Sequence, residues 1–175
     1  MAARRLSRIS LLVALMVLGA AVALPVPGTT TPLTLQLVPV LLAGGLLGPV
    51  DGPLAVLIYL ALGVAGLPVF SGLRAGPAVL FGPTGGYLWG FVLTAGWIGW
   101  WAGPHRRPGW VRLAAAMTSG MIFTYACGVW QMALVLQYTL LQAAVAGIVP
   151  FVVADALKIG LAVALAGRLQ HIRRA

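Results

Sequence analysis

The sequence predicts an all-α, polytopic membrane protein: one domain over residues 1–175 with six transmembrane helices. Three observations lead there. Hydrophobic residues make up 61% of the 175 and charged residues 7%, whereas a soluble domain carries about 25% charged residues to cover its water-facing surface. Apolar runs recur along the chain, separated by short connections rich in Gly and Pro. The basic residues cluster at alternate connections rather than along one stripe. Acids are limited to Asp51 and Asp155, with no Glu, and a single cysteine, Cys127, excludes an internal disulfide and any cysteine-based metal site.

The runs are taken in order. Helix one spans about 9–24, behind Arg4, Arg5 and Arg8. Basic residues, an apolar core and Ala21-Val22-Ala23 also describe a secretory signal peptide, but the alternation of sides downstream requires the segment to remain. Helices two and three, about 33–47 and 52–65, are short for a hydrocarbon core of ~30 Å, which takes about 20 helical residues. Helix four covers about 83–102, with Pro83 in the first turn, where a missing N–H costs nothing. Helix five covers about 111–136 and helix six about 151–169. Between them, 137–149 reads as a short surface helix. No linker, repeat or second domain interrupts the series.

The positive-inside rule orients the helices. With the N-terminus in the cytoplasm, Arg4, Arg5, Arg8, Arg106, Arg107, Arg112, Arg168, Arg173 and Arg174 all fall inside, nine of the eleven basic residues. The outer connections, 25–32, 67–82 and 137–150, hold one cation between them, Arg74. The net charge of +9 is therefore topological and facing the lipid bilayer, not a nucleic-acid surface, which would show a basic stripe interleaved with aromatics.

Three charges stand apart: Arg74, Asp155 and Lys158. Asp155 lies about five residues into helix six, several ångströms deep at 1.5 Å per residue, and Lys158 at i+3 shares its face. Ionisable groups in hydrocarbon are costly and face a bundle interior or a wet cavity. The Arg74 loop lies on the same outer side. It belongs to an unusual stretch, 66–91, where Phe70, Tyr87 and Trp89 crowd one cation among glycines and prolines, as expected of an ordered loop over a cavity. Two cations against one anion suit a carboxylate ligand, a desolvated Asp accepts from N–H groups, and the aromatics pack an apolar body. A small, anionic, amphipathic molecule with a ureido- or amide-like end fits. Alternatively, Asp155 and Lys158 neutralise each other as a structural pair, and Arg74 contacts a lipid phosphate.

Other signals are mostly negative. Lys158 is the only lysine, so there is no GxxxxGK[ST] loop and no unaided ATP hydrolysis. His105 and His171 sit among arginines at the inner rim, opposite Asp155, so no Ser-His-Asp set forms. No cofactor is implied. Gly19 and Ala23 form a small-xxx-small spacing that permits close contact with a partner helix. Trp97, Trp100, Trp101 and Trp110 read as an interfacial belt.

Several segments together point to a family. Thr34-Leu35-Gln36, Leu41-Leu42-Ala43-Gly44, Leu47-Gly48-Pro49, Gly66-Leu67-Pro68-Val69-Phe70, Gly82-Pro83-Thr84-Gly85-Gly86-Tyr87-Leu88, Gly90-Phe91 and Asp155-Ala156-Leu157-Lys158 span nearly the whole chain. On these the chain resembles the BioY family, the biotin-binding S-components of energy-coupling factor (ECF) transporters. It departs at Val153-Ala154, where the family has Pro-Gly before the Asp. The resemblance implies a six-helix S-component bundle in the cell membrane with both termini cytoplasmic. It implies biotin bound near the outer face, and as partners a transmembrane coupling protein and two ATPase subunits. Carried over, Arg74, Asp155 and Lys158 become polar contacts, and Gln36, Phe70, Tyr87 and Trp130 line the site. Three readings compete: an S-component for another anionic vitamin, a small intramembrane enzyme, and a structural subunit. The enzyme would need more chemistry at one depth than Asp155 and Lys158 supply.

Overall fold

The computed structural model of the protein describes residues 2–26, 31–106 and 108–172. Arg107, Arg173, Arg174 and the 27–30 part of the first outer connection lie outside the described residues. Among the described residues eight α-helices form the bundle: α1 (Ala2–Ala21), α2 (Leu37–Leu47), α3 (Asp51–Val64), α4 (Pro77–Phe81), α5 (Gly85–Ala102), α6 (Trp110–Leu136), α7 (Leu140–Gly147) and α8 (Val152–Ile172). A two-residue strand pair, β1 (Ala23–Leu24) antiparallel to β2 (Leu33–Thr34), closes the connection between α1 and α2.

The short helix α2 is the pillar. It packs against α1, α3, α5 and α8, and every residue from Leu37 to Gly45 is buried. A helix apolar on all sides belongs in an interior. The most extensive helix contact is between α5 and α6. There Gly90 lies so close to the backbone of Phe123 and Thr124 that a Cβ would stand 2.6 Å from the Thr124 Cα. Small residues thus set the interhelical distance. Thr94 adds a buried polar tie, donating to the Gly120 carbonyl at 2.8 Å.

The boundaries differ from expectation in instructive ways. Helix one starts at Ala2, not Ile9, and ends at Ala21, short of Ala23. Its last turn leaves carbonyls free: that of Gly19 accepts from Leu35 N–H and that of Ala20 from Gly72 N–H. Helix two starts at Leu37 because Leu33 and Thr34 are drawn into the strand pair. Pro83 sits in the turn before α5, not in its first turn; Gly85 begins the helix, and its N–H bonds the Gly82 carbonyl. The unforeseen α4 starts on Pro77, a residue pre-set for a first turn. The short helix expected within 137–149 is α7, held by a reciprocal Thr139–Gln142 capping box.

By length and apolarity, α6 alone among the described residues suffices to cross a membrane unaided; α7 and α8 pass together as one span bent by 55°. The two ends of the bundle differ chemically. At one end Arg5 Nε donates to Asp51 at 2.9 Å, joining α1 to α3, and Arg4, Arg8 and Pro104 share that corner. The opposite end gathers the loops.

Candidate functional site

At the loop end two lobes of about 70 Å³ each adjoin and share part of their walls. Tyr87, Phe91, Thr31, Pro32 and Thr34 wall both lobes. Gln36, Phe70, Ser71 and Arg74 belong to the first lobe alone. Asp155, Lys158, Tyr125 and Thr124 belong to the second. Of the three charges singled out from sequence, Arg74 lines the first lobe and Asp155 and Lys158 line the second.

The second lobe is built on the first turns of α8. Asp155 and Lys158 are 7% and 8% exposed, and the Lys158 Nζ donates to Asp155 Oδ1 at 2.7 Å. Their i,i+3 spacing made this contact predictable. The Tyr125 hydroxyl from α6 donates to the other oxygen, Oδ2, at 2.7 Å. Each carboxylate oxygen thus holds one protein donor, and a carboxylate has about four lone-pair sites, so acceptor capacity remains for a ligand. The cluster offers an acceptor and a cationic donor side by side in a low-dielectric wall.

The first lobe rests on the 66–76 loop. Phe70 is 1% exposed. Its ring sits on Gly63, where a side chain would collide with it, and meets Tyr59 edge-on with centroids 5.7 Å apart. Tyr59 in turn donates to the Val69 carbonyl at 2.8 Å. Phe70 N–H bonds the Arg74 carbonyl at 3.0 Å, closing a tight loop, and Arg74 Nε donates to the Ser71 carbonyl at 3.1 Å. The guanidinium is exposed at the rim, unlike the buried charges of the other lobe.

Tyr87 stands between the lobes. Its hydroxyl donates to the Gly147 carbonyl at 2.9 Å, so what it presents to the cavity is its ring. Glycines at 128 and 147 make room: a Cβ on either would lie within 2.5 Å of Tyr87. The α7 segment is thereby tied over the second lobe. Gln131 of α6 plays a similar part for the first, donating from Nε2 to the carbonyls of Leu80 and Gly82 at 2.7 Å each.

Three expectations need correction. Trp130 is 60% exposed on α6 and lines neither lobe; it falls on a different side of α6 from Tyr125. Trp89 is likewise 40% exposed and outside both lobes. Gly19 does not face a partner helix: it is buried against Leu35 and Gln36 of the same chain. Ala23, the other half of the small-residue pair, lies in β1 beyond the end of α1, so the two do not share a helix face. Sequence reading missed Tyr125, Phe91, Ser71 and Gln131. Tyr125, beside Thr124, and Gln131 carried a signal, polar side chains within a long apolar helix.

Comparison with known proteins identifies the family. The family model for the BioY family matches residues 1–175. The biotin transporter BioY of Thermotoga maritima is 38% identical over 169 residues, covering 97% of this chain and 97% of its own. That of Rhodobacter capsulatus is 39% identical over 168 residues, covering 89% of this chain and 87% of its own. Among solved structures, the S-component for biotin from an ECF-type ABC transporter superposes with a TM-score of 0.90 at 27% identity, over 97% of this chain and 92% of that one. With an all-α S-component fold and a family match over its full length, this chain belongs to the BioY family.

Proposed function

We propose that the protein captures biotin for a membrane transporter and is a binding subunit rather than an enzyme. The observation that carries the reading is the buried Asp155–Lys158 pair, with the Tyr125 hydroxyl on Asp155, in the wall of the second lobe. A cyclic urea presents N–H and C=O side by side on its edge. Asp155 accepts from the N–H, Lys158 donates to the C=O, and Tyr125 keeps the carboxylate oriented. The rings of Phe70, Tyr87 and Phe91 pack the apolar body. Arg74, at the far end, meets the carboxylate of the side chain, where its exposure leaves the site open for entry.

The distribution of charge supports a six-span arrangement in the cell membrane with the cavity facing outward and both termini in the cytoplasm. A subunit without a nucleotide loop needs partners for uphill transport. A transmembrane coupling protein and two ATPase subunits fit that division of labour, with ATP hydrolysed on the ATPases. Calorimetry on the purified chain with biotin and a panel of other small anionic vitamins tests the reading, together with mass spectrometry of any co-purifying small molecule. Biotin binding stronger than every other vitamin is the expected result. Preference for another vitamin, or none, overturns it.

A further inference from the structure

We propose that the corner between the start of α1, the end of α2 and the start of α3 binds the phosphate headgroup of an anionic phospholipid. A cavity of about 320 Å³ opens there, larger than either lobe at the loop end. Arg4, Arg5 and Arg8 of α1 share its walls with Leu46 and Leu47 of α2 and Asp51 of α3. The one carboxylate is already paired: both Asp51 oxygens accept from Arg5 Nε at 2.9 Å. Among the described residues Arg4 and Arg8 have no hydrogen bond or ion pair. Three guanidinium charges less one carboxylate leave two positive charges in the cavity wall.

Arg4 and Arg8 are one turn apart, so their side chains are neighbours. A guanidinium takes a phosphate through two parallel hydrogen bonds. A lipid with two phosphodiesters, such as cardiolipin, matches the pair in number and in charge.

What surrounds the arginines selects a lipid over other anions. Arg4, Arg8, Leu11, Leu15 and Leu18 follow at intervals of four and three residues, which sets them on one side of α1. All five are exposed, while Ile9, Leu12, Val13 and Met16 are buried on the other side. From Arg8 to Leu18 the apolar track runs ~15 Å at 1.5 Å per residue. Two cations at the head of such a track match a phosphate with its acyl chain below. A soluble anion makes no use of the track. Basic pockets between helices on the cytoplasmic side attract anionic headgroups for the same reason.

The inference goes beyond biotin capture and rests on the membrane placement proposed above. The test titrates the purified full chain in neutral detergent with cardiolipin, phosphatidylglycerol or phosphatidylcholine and counts bound lipid by native mass spectrometry. Cardiolipin should bind most tightly and phosphatidylcholine least. Arg4→Gln with Arg8→Gln should weaken cardiolipin by about tenfold or more. A charge-matched control, Arg106→Gln with Arg168→Gln, removes two cations that do not line the cavity and should cost less than about twofold. Asp51→Asn frees Arg5 and removes the cavity's one anion, so it should tighten cardiolipin by about threefold or more. The lipid-free melting temperature of the Arg4/Arg8 variant should equal the parent's.

Five results would each overturn the assignment. They are an equal loss in the control, no preference for anionic over zwitterionic lipid, a lower lipid-free melting temperature, competition by inorganic phosphate at the lipid's own concentration, and weaker binding by Asp51→Asn. Lipid binding retained by the Arg4/Arg8 variant while assembly with an ATPase module fails would reassign the corner to an acidic protein segment, and overturn it too. A parent chain that stayed in solution without detergent would instead sink the membrane placement itself.

Discussion

A Cβ built on Gly19 of α1 would stand 2.9 Å from both the Cα and the N of Gln36. The glycine that sequence spacing marked for an external helix instead supports the cavity wall from behind. Gly19→Leu should therefore displace Gln36 and reduce biotin affinity, with a stability loss of about 1–3 kcal/mol from overpacking. Gly19→Ala should do the same more weakly. Calorimetry and thermal melts of the purified variants measure both. A Gly19→Leu protein that binds biotin like the parent, yet fails only in transport, would return Gly19 to a partner interface.

Asp155→Asn keeps the shape and removes the charge. Loss of a charge-assisted hydrogen bond is worth about 1.5–3 kcal/mol, so biotin should bind roughly ten- to over a hundred-fold more weakly. Lys158→Met should weaken it as well. Lys158 Nζ lies 2.7 Å from Asp155 Oδ1, so the double variant is the deciding case. If the two residues serve only each other, Asp155→Asn with Lys158→Met restores folding and affinity; if they serve the ligand, it folds and still binds poorly.

Tyr125→Phe removes the donor to Asp155 Oδ2 and nothing else. The expected cost in biotin affinity is about three- to tenfold, from a less well oriented carboxylate. The effect should disappear in an Asp155→Asn background, because Tyr125 acts through that carboxylate. Additive losses in the double variant would mean that Tyr125 contacts the ligand by itself.

Tyr87→Phe separates the ring from its hydroxyl. The hydroxyl is committed to the Gly147 carbonyl, so the variant should lose about 1 kcal/mol of stability while changing biotin affinity by less than about threefold. A large affinity loss without destabilisation would show that the hydroxyl turns to the ligand.

Sidedness is tested by labelling. In a Cys127→Ala background, Leu73→Cys and Arg106→Cys place single thiols at exposed positions near opposite ends of the bundle. An impermeant maleimide added outside intact cells should modify position 73 and not position 106. The reverse result would invert the proposed topology.

Composition and the placement of charge were enough to reach the membrane class and the long helices, and the glycines, prolines and aromatics around Arg74 singled out the 66–91 stretch, part of which folds as α4 and the start of α5. The spacing of Asp155 and Lys158 was enough to place them on one face, because a helical period acts over a single turn and needs no tertiary information. What the chain could not disclose by itself is the rotation of each helix about its axis. In a soluble helix the polar face marks the outside. Here a lipid-facing side and a core-facing side are both apolar, so the pattern carries no phase. Trp130, 60% exposed, and Tyr125, at hydrogen-bond distance from Asp155, are five residues apart on α6 and look alike in sequence. Packing decided between them. Close approach at small residues, such as Gly90 against Thr124 and Gly19 against Gln36, sets which faces meet. Those contacts join segments distant in the chain, so only the folded structure shows that the end of α1 holds Gln36 and Ser71 in place.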